Sequence, residues 1–152
     1  MAVLVAGTMA SAQDTPPDGD GPGNGPGGDP LDGLFSSGAD IDPAEWRRMV
    51  QGRTVIYQIG SETWAYETYA APGSDLVAIL LADGTCMDGT WYHRNLEFCY
   101  AWSRGETSCF RHVRVGDEIL VIPMVDGAPS GSVQTVSGIS DKPIVCGPAL
   151  SS

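Results

Sequence analysis

The chain has 152 residues, with 19 acidic side chains against eight Lys and Arg, a formal net charge of -11 and a pI near 4.2. That balance argues against a nucleic-acid partner, because neutralising phosphates requires a basic patch and only Arg47 and Arg48 are adjacent basic residues. The length suits one domain, and no segment approaches the ~20 consecutive apolar residues that a membrane-spanning helix needs.

Residues 1–12, MAVLVAGTMASA, are apolar and end in Ala10, Ser11 and Ala12, a pattern that a signal peptidase accepts. They read as the remnant of a signal peptide whose true start lies upstream or was trimmed, since no Lys or Arg precedes the run; an apolar tail is the alternative. Four cysteines, an even number, fit the same compartment and are expected to pair as two disulfides in the periplasm or outside the cell. Residues 13–40 open with QDTPPDGDGPGNGPGGDP, which lacks the side chains that offset ordering entropy and reads as a disordered tether. Its aspartates do not make a calcium loop: counted from Asp18, the fifth position is Pro22, which has no side-chain oxygen.

Residues 41–148 are expected to form a helix followed by a β-domain. In DIDPAEWRRMVQGRT, Asp42 suits an N-cap, Pro43 the first helical position, Glu45 a capping box and Gly52 a left-handed C-terminal residue. Trp46, Met49 and Val50 fall on one stripe, so a helix of about ten residues should pack that face on the domain. The period then becomes extended, in the runs TVIYQI, ETWAYETYA, DLVAILL, GTWYH, LEFCYAW, SCFRHVRV, EILVIPMV and VQTVS, separated by Gly, Pro, Asp and Asn turns. The predicted fold is mainly β: an antiparallel meander of about eight strands that closes into a small barrel or sandwich to protect its edges.

In LEFCYAW-SRG-ETSCFRHV, a three-residue loop ending in Gly105 suits a type I turn with a left-handed bulge residue. Closing it pairs Trp102 with Glu106, Ala101 with Thr107, Tyr100 with Ser108 and Cys99 with Cys109, so those two cysteines should bridge. A turn at His93, Arg94 and Asn95 would set Tyr92 opposite Leu96 and Gly89 opposite Cys99, leaving Cys86 out of reach. By elimination Cys86 pairs with Cys146, closing a loop of about sixty residues worth roughly 4 kcal/mol in the chain-entropy model. No close C-x-x-C pair exists for zinc or redox chemistry, so no metal or cofactor is expected.

The succession Gly-Arg-Thr-Val, Trp-x-Tyr-x-x-Tyr, Asp-Gly-Thr-Cys-x-x-Gly-Thr-Trp, Phe-Cys-Tyr-x-Trp and Ser-Cys-Phe, over about residues 50–122, resembles small secreted cysteine-containing β-domains of unknown function from alphaproteobacteria. The resemblance implies a compact periplasmic β-domain and no activity. The step Gly89-Thr90-Trp91 is also similar to the lipocalin G-x-W, although in lipocalins it opens the first strand and here it lies mid-chain. Bacterial metalloprotease inhibitors, small disulfide-bearing barrels, are similar in architecture alone.

No G-x-S-x-G elbow is present, and Glu62, Glu67, Asp75, Asp83 and Asp88 read as surface acids near turns rather than a catalytic pair. Phe110, His112 and Arg114 share one strand face, read as solvated with an anion-binding surface as the sharper alternative. Leu96, Phe98, Tyr100 and Trp102 share another, which with Trp64, Tyr66, Tyr69, Trp91, Tyr92 and Phe110 should fill a core. Should that interior be hollow, an apolar ligand is its natural occupant. The ligand-binding candidates are therefore Trp64, Tyr66, Trp91, Phe98, Tyr100, Trp102, His112 and Arg114. The expected function is a secreted, non-enzymatic binding or interaction module for a small apolar ligand, an envelope component or a protein. The second expectation is an inhibitor of a secreted enzyme, acting through the turn at residues 103–105 or the N-terminal tail.

Overall fold

The computed structural model describes residue 33 and residues 37–146. The signal-peptide remnant, most of the tether and residues 147–148 lie outside the described residues. Along the chain come β1 (Ala39–Asp40), α1 (Pro43–Val50), β2 (Thr54–Ile59), β3 (Glu62–Tyr69), β4 (Leu76–Leu81) and β5 (Cys86–Arg94). They are followed by β6 (Glu97–Trp102), β7 (Thr107–Val115), β8 (Glu118–Val125), β9 (Ala128–Pro129) and β10 (Gln134–Ser140). From β2 to β8 each strand pairs antiparallel with the next, and β10 pairs with both β8 and β2, which closes an eight-stranded up-and-down barrel. Closure removes the free edges that an open meander would expose. The short β1, placed in the tether by sequence, adds to β7 through Ala39 opposite Arg114 and Asp40 opposite Val113. Asp40 also forms a two-point ion pair with Arg111.

Helix α1 spans eight residues. The Asp42 carboxylate accepts hydrogen bonds from the N–H groups of Ala44 (2.8 Å) and Glu45 (3.3 Å), and Gly52 takes a positive φ of 69° just past the end. The capping box does not form: Glu45 instead reaches Arg114 Nη1 at 2.6 Å, because an ion pair to the barrel satisfies it better than its own N-cap. Arg47 lies over the Trp91 ring at 4.4 Å and bonds Asp75 at 2.7 Å. Trp46 and Val50 are fully buried, and the Trp46 ring meets Tyr69, Phe98 and His112. The helix is thus a plug in one end of the barrel.

The loop over Ser103, Arg104 and Gly105 pairs Cys99 with Cys109, Tyr100 with Ser108 and Ala101 with Thr107, as the sequence predicts, and Gly105 has φ 97°. The preceding hairpin differs. Arg94 opposes Glu97 and Tyr92 opposes Cys99, so the turn is the two residues Asn95 and Leu96, both at positive φ (51° and 68°). Two left-handed residues make the primed turn whose twist matches that of paired strands, and Asn tolerates that conformation. Leu96 consequently sits exposed on the turn rather than on the inner face with Phe98. Both expected disulfides are present, Cys99–Cys109 with Cα atoms 4.1 Å apart and Cys86–Cys146 at 5.7 Å. The second fastens the C-terminal segment, whose Lys142 carbonyl and Ile144 N–H are also held by Thr54 and Thr68.

Candidate functional site

Alternation along the strands points one residue in two into the barrel. The half beside α1 is filled: Val55, Tyr69, Val77, Trp91 and Phe98 pack around Trp46, all under a tenth exposed. The other half is not. There a cavity of about 110 Å³ has its mouth among Trp64, Leu81, Met87, Trp102, Ser108 and Phe110. Its floor is Tyr57, Glu67, Tyr100, His112 and Gln134.

Two local features shape this cup. Strict alternation would turn Trp64 outward with Tyr66, but the ladder slips between Tyr57 and Gln58, where Gln58 opposes Thr63 and Tyr57 opposes Ala65. Trp64 is the extra residue of that bulge, and bulges re-aim side chains in this way. On β5, a Cβ at Gly89 would lie 2.6 Å from the Ala101 carbonyl oxygen and 2.8 Å from the Trp102 ring. Glycine there lets Trp102 lie against the strand, stacked on Tyr100 with ring centroids 5.7 Å apart and tilted by 10°. The glycine of G-x-W serves Trp102, while the tryptophan, Trp91, packs in the filled half.

The floor is polar and buried. Tyr57 and Tyr69 both donate to Glu67 Oε1, at 2.9 and 2.5 Å, and the Tyr100 hydroxyl lies 2.6 Å from that of Tyr69. Glu67, read from sequence as a surface acid, is 3% exposed. Burial pushes its carboxyl up to about 7 against the opposing pull of the two phenol hydrogen bonds. The three phenols are themselves raised well above their usual range, first by burial and then by the Glu67 charge, so they remain donors. His112 stacks on Phe98, centroids 4.1 Å apart, and neither ring nitrogen has a hydrogen-bond partner among the described residues. Burial, with a smaller contribution from His93, pushes it down to about 3, so the ring is neutral.

The structure therefore divides the sequence-derived candidates. Trp64, Tyr100, Trp102 and His112 line the cup; Trp91 and Phe98 pack in the filled half. Tyr66 and Tyr92 are exposed on the outer wall, where the alternation of their strands puts them. The solvated-face reading of His112 and Arg114 is corrected: that face is the barrel interior, His112 is 1% exposed, and Arg114 is occupied by Glu45 of α1. Tyr57 and Gln134 were not singled out from sequence, Tyr69 was placed in the core without its polar role, and Glu67 was read as a surface acid. Their signal was the alternation Ala65, Glu67, Tyr69 against exposed Tyr66, which puts an acid on an otherwise apolar face. Among the described residues, Glu97, Cys99 and Cys109 come close enough to hold a metal, but both sulfurs are consumed in the disulfide. No helix among the described residues is long and apolar enough to cross a membrane. No family model, curated protein or solved structure matches the chain.

Proposed function

We propose that this protein is a non-enzymatic binding module of the periplasm or extracellular space that holds a small ligand in the cup of its barrel. The observation that carries the proposal is the half-filled interior: aromatic side chains that would close a core instead line a cavity with a polar floor. Two disulfides support an oxidising compartment outside the cytoplasm. An apolar cavity of about 150 Å³ accepts benzene, so a space of about 110 Å³ takes the head of a ligand and leaves its remainder in the mouth. Such a site is read as holding rather than converting, since one oxygen of its carboxyl takes both phenol bonds and its histidine, held neutral down to about 3, is a poor base.

The test is native mass spectrometry of protein isolated from an oxidising compartment, together with thermal melting against a panel of small apolar and aromatic compounds. A binding module gains thermal stability with at least one such class, in proportion to the logarithm of its concentration. Ser108→Phe, which places a ring in the mouth, should keep the circular dichroism of the barrel and lose the gain. A protein that carries no small molecule and melts at one temperature throughout the panel would overturn the proposal.

A further inference from the structure

The hydrogen-bond directions on the floor define the ligand's chemistry. Each tyrosine has one hydroxyl proton. Tyr57 and Tyr69 give theirs to Glu67 Oε1, and Tyr100 must then be the donor to Tyr69, whose own proton is spent. The Trp46 indole N–H, 3.3 Å away, is directed at the Tyr69 oxygen as well. Every donor of the cluster is therefore aimed inward at Glu67 or Tyr69. With Glu67 ionised, what the cluster leaves for a ligand are acceptors: Glu67 Oε2, which takes no bond from the described residues, and the lone pairs of Tyr57 and Tyr100; beside it His112 offers one acceptor nitrogen and one N–H, and Gln134 an amide. A ligand that offered only acceptors would leave these lone pairs facing one another.

Charge gives the same answer. The ion pairs among the described residues are Arg47–Asp75, Arg53–Asp141, Arg111–Asp40 and Arg114–Glu45, and none reaches Glu67. A buried carboxylate with phenol donors and no cation is costly, which is why the carboxyl holds its proton up to about 7; a cation seated beside Oε2 removes that cost and releases the proton to solvent. The walls above Glu67 are the faces and edges of Trp64, Trp102, Tyr100 and Phe110, groups that attract an ammonium through the ring quadrupole. A net charge of -11 draws cations toward the molecule from a distance.

We propose that the ligand is a small ammonium ion on an apolar or aromatic body, its N–H groups seated on Glu67 Oε2 and the tyrosine oxygens and its body between Trp64, Trp102 and Phe110. This deepens the binding-module reading and rests on it. The experiment titrates the whole protein by calorimetry with n-butylammonium and benzylammonium, and with 1-butanol and benzyl alcohol as neutral counterparts of nearly the same shape. The ammonium ions should bind at least tenfold more tightly than the alcohols. Glu67→Gln should lower ammonium affinity at least tenfold and alcohol affinity by a much smaller factor. The wild-type comparison of charged with neutral probes stands even if that variant fails to fold. Alcohols that bind as well as the ammonium ions, or ammonium affinity unchanged in Glu67→Gln, would overturn the ammonium assignment while keeping the cup as a binding site. A wild-type protein that binds none of the four probes would overturn the ammonium assignment too. The broader thermal panel then decides whether the binding-module reading falls with it.

Discussion

The two ends of the barrel are built from the same kinds of residue and end in opposite states. At the α1 end, Trp46 enters from outside the meander and completes an aromatic cluster with Tyr69, Phe98 and His112, so the interior is closed. At the other end Trp64, Trp102 and Phe110 meet no corresponding plug among the described residues and surround a cavity. Aromatic content alone therefore does not distinguish a core from a cup; a side chain delivered by a separate element does.

That difference predicts unequal costs. Trp46→Ala should destabilise the protein by about 5 kcal/mol, the upper end for a buried tryptophan, because it opens a cavity and removes the indole bond to Tyr69. Trp64→Ala, at the half-buried mouth, should cost under about 1.5 kcal/mol and act on ligand affinity instead. Urea titrations of the two variants check this directly. Equal losses would mean that the two ends are energetically alike.

The Cys86–Cys146 bridge spans 60 residues and secures the C-terminal segment outside both halves. Replacing both cysteines by serine should cost roughly 4 kcal/mol, against roughly 3 kcal/mol for the short Cys99–Cys109 loop, on the chain-entropy model. Denaturant midpoints of the two double variants test the order. Arg114→Ala removes a partly exposed contact between plug and barrel, and should cost about 1 kcal/mol or less. Hydrogen exchange confined to α1 would register that loosening even where the global midpoint barely moves.

The most diagnostic effect is in pH. The native Glu67 carboxyl keeps its proton to about pH 7, whereas the unfolded one releases it near 4.5, so its contribution is present below 4.5 and is lost as pH rises through 7. Native His112 stays neutral down to about 3 while the unfolded ring charges near 6.5, so its contribution is present above 6.5 and is lost as pH falls toward 3. Between 4.5 and 6.5 the two slopes oppose, and stability should be broadest there. Melting temperatures from pH 3 to 9 should show both limbs, the alkaline limb vanishing in Glu67→Gln and the acid limb in His112→Phe.

Much of this molecule was legible before any tertiary contact. Alternating β-branched and aromatic runs separated by Gly, Asp and Asn define a meander, because strand period and turn chemistry are properties of adjacent residues. The hairpin over residues 103–105 sets Cys99 against Cys109 by register alone, and elimination assigns Cys86 to Cys146. The helix signals of Asp42, Pro43 and Gly52 are local in the same way. Register was misread where a turn had two equally local solutions: the His93–Arg94–Asn95 turn lost to Asn95–Leu96, which adds the Arg94–Glu97 pair to the ladder.

Tertiary structure alone decided which side of each strand became the inside and how far that inside was filled. Alternation sorts residues into two faces but does not say which face is wet, so Glu67 and His112 read as surface until closure of the barrel buried them. A one-residue bulge turned Trp64 inward, against its neighbours' pattern, because pairing on both edges fixes a strand's twist only once the sheet is closed. The position of Trp46 depends on where α1 lands, a long-range fact held by the Arg114–Glu45 and Arg47–Asp75 pairs. Sequence determined the parts that neighbouring residues control; the division into plug and cup is set by contacts between residues far apart in the chain.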